Sequence, residues 1–151
     1  MDELFRKYGA KYGIPWALLK AQGIAESGLN PNAVSPKGAY GIMQLLPKTF
    51  AEIQQMLPHL KNIMNSEENI EAGAFYMRRI IKMIVRFNPH PKDVIPLALA
   101  GYNWGIGNLT RLIKRIGTSS WTKIYEYLPE ETKRYVKRIF WLYLKNSGNI
   151  I

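Results

Sequence analysis

Apolar residues recur at helical spacing along most of the chain, and clusters of turn-forming residues separate the resulting segments. A first amphipathic helix is predicted to stop near Gly13. A second helix takes Pro15 into its first turn and ends at Gly28, and residues 28–38 form a loop rich in Gly, Pro, Asn and Ser. The apolar positions that carry these two helices are Leu4, Phe5, Tyr8, Trp16, Leu19 and Ile24.

The rest of the chain continues in the same way, which predicts a mainly α fold. The later helices are predicted from Pro47 to about Leu57, from an N-cap at Ser66, from near Lys92 to Gly101, from Leu109 to Ile116, and from just after Pro129. The helix after Ser66 has an apolar stripe formed by Ile70, Ala74, Met77, Ile81 and Ile84. No alternating strand pattern occurs, although a short β-hairpin near Gly38 is compatible with the sequence.

Length and composition favour one folded domain and exclude several kinds of chemistry. The 151 residues, 47% of them apolar, are expected to form a single domain over residues 1–151. The absence of cysteine excludes disulfides, thiol catalysis and cysteine metal sites. His59 and His90 each stand next to a proline and lack a second histidine at helical spacing, so we interpret both as surface residues and predict no metal site.

A formal net charge of +10 points to an anionic partner. Nucleic acid, anionic lipid and the anionic polymers of a cell wall are all candidates. Pairs of basic residues lie mostly in the second half, and a solubilising helix surface accounts for any one pair. General attraction to a polyanion accounts better for the net charge of the whole chain.

The amino terminus lacks the basic start and apolar stretch of a secretory signal, and no apolar run reaches the length of a membrane span. We therefore expect a soluble protein without a membrane span. Either it reaches its target without a signal of its own, as a protein delivered by a bacteriophage does, or it is a domain trimmed from a larger protein.

Glu26 differs from the other acidic residues because it lies at the predicted carboxyl end of a helix, among apolar neighbours. Burial and the helix dipole both raise the pKa of a carboxyl group in such a position. A carboxylic acid that is protonated near neutral pH is what general-acid cleavage of a glycosidic bond requires. A lone glutamate on a helix is far more often structural or solvated, so the surrounding motifs decide the interpretation.

Four motifs follow one another in an order that resembles the soluble lytic transglycosylase catalytic domain, a relative of goose-type lysozyme. The resemblance spans roughly residues 12–144, and a helix with Asn69, Ile70 and Gly73 is also similar to the family's. The motifs are Glu26-Ser27, Gly41-Ile42-Met43-Gln44, Gly101-Tyr102-Asn103-Trp104-Gly105 and Glu131-Thr132-Lys133-Arg134-Tyr135-Val136.

The resemblance implies a lysozyme-like fold and cleavage of peptidoglycan by a single carboxylic acid. Glu26 would protonate the glycosidic oxygen between N-acetylmuramic acid and N-acetylglucosamine, and would then take the proton of the attacking 6-hydroxyl. The product would carry a 1,6-anhydromuramoyl end. No cofactor is implied, and we expect a monomer whose partner is the peptidoglycan glycan strand.

The resemblance also gives roles to residues around the acid. Ser27 would hydrogen-bond the acid or the acetamido group, with a helix-end cap as an equally good explanation. Met43 and Gln44 would contact the saccharide, which we favour over loop packing. Tyr102 and Asn103 would flank the acid, with the amide holding the acetamido carbonyl.

Tyr135 matches the family tyrosine whose hydroxyl reaches the acid; from the sequence alone it would be a core aromatic. Trp104 replaces a small residue of the family motif, which leaves the preferred substrate length open.

A hydrolytic muramidase on the same scaffold is the nearest alternative and would need Glu71 or Asp93 as a base. A non-catalytic wall-binding or assembly protein and, on charge alone, a nucleic-acid-binding protein are the others.

Overall fold

The structure is a computed structural model that describes residues 1–146, with Asn146 described by its backbone alone. Helices make up most of this part of the chain. They are α1 (Asp2–Tyr12), α2 (Trp16–Ser27), α3 (Pro47–Met56), α4 (Ser66–Val85), α5 (Val94–Trp104), α6 (Ile106–Ile116), α7 (Trp121–Tyr125) and α8 (Glu130–Asn146), with a 3₁₀ turn at Pro91–Asp93.

The chain divides into two compact units. Unit 1 comprises Met1–Tyr76 and the part of the chain from Ile139 onward, and unit 2 comprises Met77–Arg138. Helices α1, α2 and α3 therefore belong to unit 1, and α5, α6 and α7 to unit 2. Helices α4 and α8 contribute residues to both. The prediction of a single domain stays a prediction.

The ends of the first two helices lie where the sequence predicts them. Gly13 and Gly28 follow α1 and α2 in the left-handed conformation, with φ of 72° and 64°. Pro15, however, precedes α2 instead of entering its first turn, because its ψ of 124° is extended rather than helical. Helix α3 begins at Pro47, as predicted, and ends one residue before Leu57.

The predicted N-cap of α4 is wrong by one residue. Ser66 is the first residue of the helix, and Asn65 is the cap, because its Oδ1 accepts a hydrogen bond from the Glu68 backbone N–H at 3.0 Å. Helix α7 was not predicted, since five residues are too few for a helical period to show.

In the predicted stripe of α4, Ile81 is partly exposed and Ile80 is buried in its place; the other four positions are buried as predicted.

The hairpin that the sequence allowed near Gly38 is reduced to two isolated antiparallel bridges. Val34 pairs with Tyr40, and Tyr40 pairs with Leu45. Two turns, at Gly38 and at Gly41, interrupt the pairing before a ladder can form. Over residues 1–146 the fold is therefore mainly helical, with almost no β-structure.

Unit 1 contains a buried carboxylate that the sequence left ambiguous. Glu71 on α4 is 3% exposed. Its Oε2 accepts hydrogen bonds from the Tyr12 hydroxyl at 2.5 Å and from Lys11 Nζ at 3.0 Å, and its Oε1 lies 2.8 Å from His59 Nε2. His59 is exposed, in agreement with its interpretation as a surface residue, and it contacts Glu71 from that position. These contacts join α1, α4 and the segment between α3 and α4.

Burial alone would raise the pKa of Glu71, but the hydrogen bonds from Tyr12, His59 and Lys11 outweigh burial and hold the pKa below its ordinary value of 4.5. A carboxylate whose pKa is lowered in the folded state stabilises that state above its unfolded pKa. This contribution is lost as the pH falls from about 4.5 through the lower folded-state value.

We expect Glu71→Gln to lower the free energy of unfolding at pH 7 by about 1–3 kcal/mol, the usual cost of losing hydrogen bonds to a charged group. The difference in unfolding free energy between the two proteins should become smaller on acidification, because only the unchanged protein has this carboxylate to protonate. Urea unfolding at pH 7 and at pH 3.5 measures this difference at each pH. Glu52→Gln makes the same exchange at an exposed position of α3 and is the control, whose unfolding free energy should show no such dependence on pH. A loss of stability in Glu71→Gln that is the same at both pH values would contradict the role given to the Glu71 carboxylate.

Candidate functional site

In unit 1 the predicted acid lies in the last turn of α2. Glu26 is half-buried, and it directly precedes the final helical residue, Ser27. The carboxyl end of a helix carries partial negative charge, which disfavours an additional anion. The position therefore agrees with the sequence argument, while the catalytic role stays a prediction.

Ser27 ties the end of α2 to the turn that carries the second motif. Its Oγ donates to the Ile42 carbonyl at 2.8 Å and accepts from the Asn30 backbone N–H at 3.2 Å. These contacts are what a residue that positions the acid would make. The predicted contact with substrate or acid stays untested.

The turn at Gly41–Gln44 is held in place by Asn69 of α4, which is 1% exposed. Asn69 Oδ1 accepts from the Met43 backbone N–H at 2.7 Å, and its Nδ2 donates to the carbonyls of Tyr40 and Ile63 at 3.0 and 2.8 Å. Gly41 has a φ of 79°, and a Cβ there would lie 2.4 Å from Asn69 Nδ2. The close approach of Asn69 therefore requires glycine at position 41 of the second motif.

Met43 and Gln44 are both engaged within unit 1. The Met43 side chain is fully buried, and a Cβ at Gly73 would lie 2.7 Å from its Cγ. Gln44 has a positive φ of 50°, and its Nε2 donates to the carbonyls of Gly41 and Ala33 at 2.9 and 3.2 Å. For Met43 the structure shows loop packing, which was the less favoured alternative to contact with a saccharide. Contact of either residue with a saccharide stays a prediction.

In unit 2 the third motif forms the last turn of α5. Tyr102 and Asn103 are half-buried there. Asn103 Oδ1 accepts a hydrogen bond of 2.9 Å from the hydroxyl of Thr132, which is 1% exposed in the first turn of α8. The third and fourth motifs are therefore joined by a partly buried hydrogen bond.

Tyr135 follows Thr132 by three residues on α8 and is also half-buried. Trp104 is the last residue of α5, and its carbonyl accepts from Asn108 Nδ2 at 2.7 Å. Gly105, with a φ of 102°, separates α5 from α6. The indole thus stands at the break between two helices.

Two residues gain roles that the sequence alone did not give them. Asn69 and Thr132 had no predicted role beyond their places in the segments that resemble the family, yet each makes a hydrogen bond to a predicted site residue. Their positions inside the motifs were the available signal. Over residues 1–146, no group of three or more His, Asp or Glu side chains could hold a metal ion.

The comparison with protein families decides the identity. A family described as "Transglycosylase SLT domain" matches residues 3–125, which covers most of the chain. The chain belongs to the SLT transglycosylase family. The resemblance drawn from the four motifs is therefore confirmed.

Curated relatives agree with this membership. This SLT domain is 39% identical over 133 residues to membrane-bound lytic murein transglycosylase F of Marinobacter nauticus. It is 37% identical over 134 residues to the protein of the same name from Aliivibrio fischeri. Each match covers 85% of this chain but only 25% of the relative, so the chain spans about a quarter of their length.

Solved structures confirm the mainly helical, lysozyme-like fold. The 70 kDa soluble lytic transglycosylase of Escherichia coli matches with a TM-score of 0.80 at 25% identity, over 97% of this SLT domain and 24% of that chain. Lytic transglycosylase Slt of Pseudomonas aeruginosa matches with a TM-score of 0.82 at 21% identity, over 98% and 24%. Among residues 1–146 no helix is both long and apolar enough to span a bilayer.

Proposed function

We propose that this protein is a peptidoglycan lytic transglycosylase that acts at the bacterial cell wall. The observation that carries the proposal is the family membership, combined with an acidic residue, Glu26, in the last turn of α2 where the family has its Glu-Ser motif. The named relatives are lytic murein transglycosylases, which fits this reaction.

In the proposed mechanism the carboxylic acid of Glu26 donates its proton to the oxygen between N-acetylmuramic acid and N-acetylglucosamine. The bond from that oxygen to the anomeric carbon breaks, and the substrate's acetamido group assists. The Glu26 carboxylate then accepts the proton of the 6-hydroxyl, whose oxygen attacks the anomeric carbon and closes the 1,6-anhydro ring. No water is consumed, and the carboxyl group returns to its starting state.

Hydrolysis would require a second group that activates water, and the two candidates have structural partners. Both oxygens of the Glu71 carboxylate accept hydrogen bonds from side chains of unit 1. Asp93 is 8% exposed, and its Oδ2 accepts from the Trp121 backbone N–H at 3.2 Å. These contacts support transfer to the internal hydroxyl over transfer to water.

Substrate contacts are proposed for Ser27, Gln44, Tyr102, Asn103 and Tyr135. Of these, Asn103 has the clearest physical support, because its amide is already oriented by a hydrogen bond. For Met43, burial supports a role in shaping the turn that carries Gln44.

The charge distribution supports attraction to anionic wall polymers. Unit 2 contains thirteen of the 21 lysine and arginine residues but only four of the eleven acidic ones, which is a net charge of +9 out of +10. Attraction of this kind weakens as salt screens it. The proposed partner is the wall, through electrostatic attraction to the residues of unit 2.

Digestion of purified peptidoglycan, followed by mass spectrometry of the released muropeptides, tests the proposal. We expect 1,6-anhydromuramoyl ends and a rate that falls as sodium chloride is raised. Reducing muramoyl ends would show that water is the acceptor and would refute the transglycosylase reaction. Absence of release from several types of wall would favour a binding or assembly protein.

A further inference from the structure

One hydrogen bond in unit 2 holds the amide that is proposed to bind substrate. The Thr132 hydroxyl donates to Asn103 Oδ1 at 2.9 Å. Thr132 is 1% exposed and so cannot itself touch a substrate, whereas Asn103 is half-buried at the end of α5.

An asparagine amide has an acceptor end and a donor end, and rotation by half a turn exchanges them. With Oδ1 held by the Thr132 hydroxyl, the hydrogens on Nδ2 are the donors that a ligand can use. The amide then favours a ligand that presents an acceptor oxygen. It disfavours one that presents an ammonium group, because two donors would face each other.

We propose that Thr132 is a specificity-determining positioning residue, which fixes the Asn103 amide as a donor and thereby selects N-acetylated sugars over de-N-acetylated ones. The inference rests on the proposed function, in which Asn103 faces the acetamido carbonyl. It goes beyond that function by assigning the discrimination to a residue that does not contact the substrate.

The test compares direct binding of two matched ligands by titration calorimetry, using the full chain. The ligands are N-acetylglucosamine oligomers and glucosamine oligomers of the same length. For Thr132→Val, which keeps the shape of the side chain and removes the hydroxyl, we expect the preference for the acetylated ligand to fall about tenfold. This is the effect of losing one oriented hydrogen bond.

Two further variants separate orientation of the amide from structural damage. Thr132→Ser keeps the hydroxyl and should retain the preference within about twofold. Thr110→Val is the matched control, because its hydroxyl donates only within α6, to the Gly107 carbonyl at 3.2 Å. General damage to unit 2 would weaken both ligands together and leave their ratio unchanged.

An unchanged ratio in Thr132→Val would overturn the inference, as would loss of the preference in Thr132→Ser. Wall digestion by the unchanged protein is run in parallel. If it releases no muropeptides, the proposed function fails, while the binding ratios still decide the role of Thr132.

Discussion

Glu26→Gln is expected to lower the rate of wall cleavage roughly a thousandfold or more, within the range that general acid–base catalysis by a positioned group contributes. The amide has nearly the shape of the carboxyl group, but it can neither donate the proton to the glycosidic oxygen nor accept the proton of the 6-hydroxyl. Both steps of the proposed mechanism are therefore lost together. The rate of muropeptide release, quantified by mass spectrometry, measures the change.

Control measurements separate loss of the acid from loss of the fold or of wall binding. The far-ultraviolet circular dichroism and the thermal midpoint of Glu26→Gln should match those of the unchanged protein, and its binding to sedimented wall should persist. Glu52→Gln makes the same chemical exchange at an exposed position of α3 and should cleave normally. A Glu26→Gln variant that cleaves at the unchanged rate would refute the assignment of the acid.

The helical fold was predictable because its signals are local. The glycines after α1 and α2, the proline at the start of α3 and the apolar stripe of α4 act within a few residues of one another. Helix α7 escaped because it has only five residues. The α4 cap was misplaced because Ser66 and Asn65 are both good cap residues, and only the geometry shows which one accepts the bond.

The contacts around the site were not predictable, because they join residues far apart in the sequence. Thr132 lies 29 residues from Asn103. The Glu71 cluster joins residues about 60 apart along the chain, and it gives Glu71 structural partners that the sequence does not indicate. A motif shows that such residues occur together, but it does not show which atom meets which.

Burial divides the motif residues into two kinds. Met43, Asn69 and Thr132 are each at most 1% exposed, so they act by holding neighbours in place. Glu26, Gln44, Tyr102, Asn103 and Tyr135 are half-buried, so each retains surface that a ligand can reach. A motif matched from sequence combines both kinds, and only burial separates the residues that position from those proposed to bind.

Asn69→Ala is expected to destabilise unit 1 strongly. The substitution leaves the buried Met43 N–H and the carbonyls of Tyr40 and Ile63 without the bonds that Asn69 supplies, at about 1–3 kcal/mol for each buried group. We therefore expect about 4 kcal/mol of lost stability, or a fall of about 10 °C in Tm by calorimetry. Asn30→Ala, which removes one exposed bond to the Asn32 N–H, should change Tm by less than about 2 °C.

Wall cleavage distinguishes a fold defect from a defect of the turn in this variant. Below its lowered Tm, Asn69→Ala should still cleave more slowly, because the freed turn no longer holds the Ile42 carbonyl in place for the end of α2. The link is the hydrogen bond from Ser27 to the Ile42 carbonyl, which joins that turn to the residue after Glu26. Full activity at a temperature where the variant is folded would show that the turn does not position the acid. An unchanged Tm would show instead that the three hydrogen bonds of Asn69 contribute little to stability.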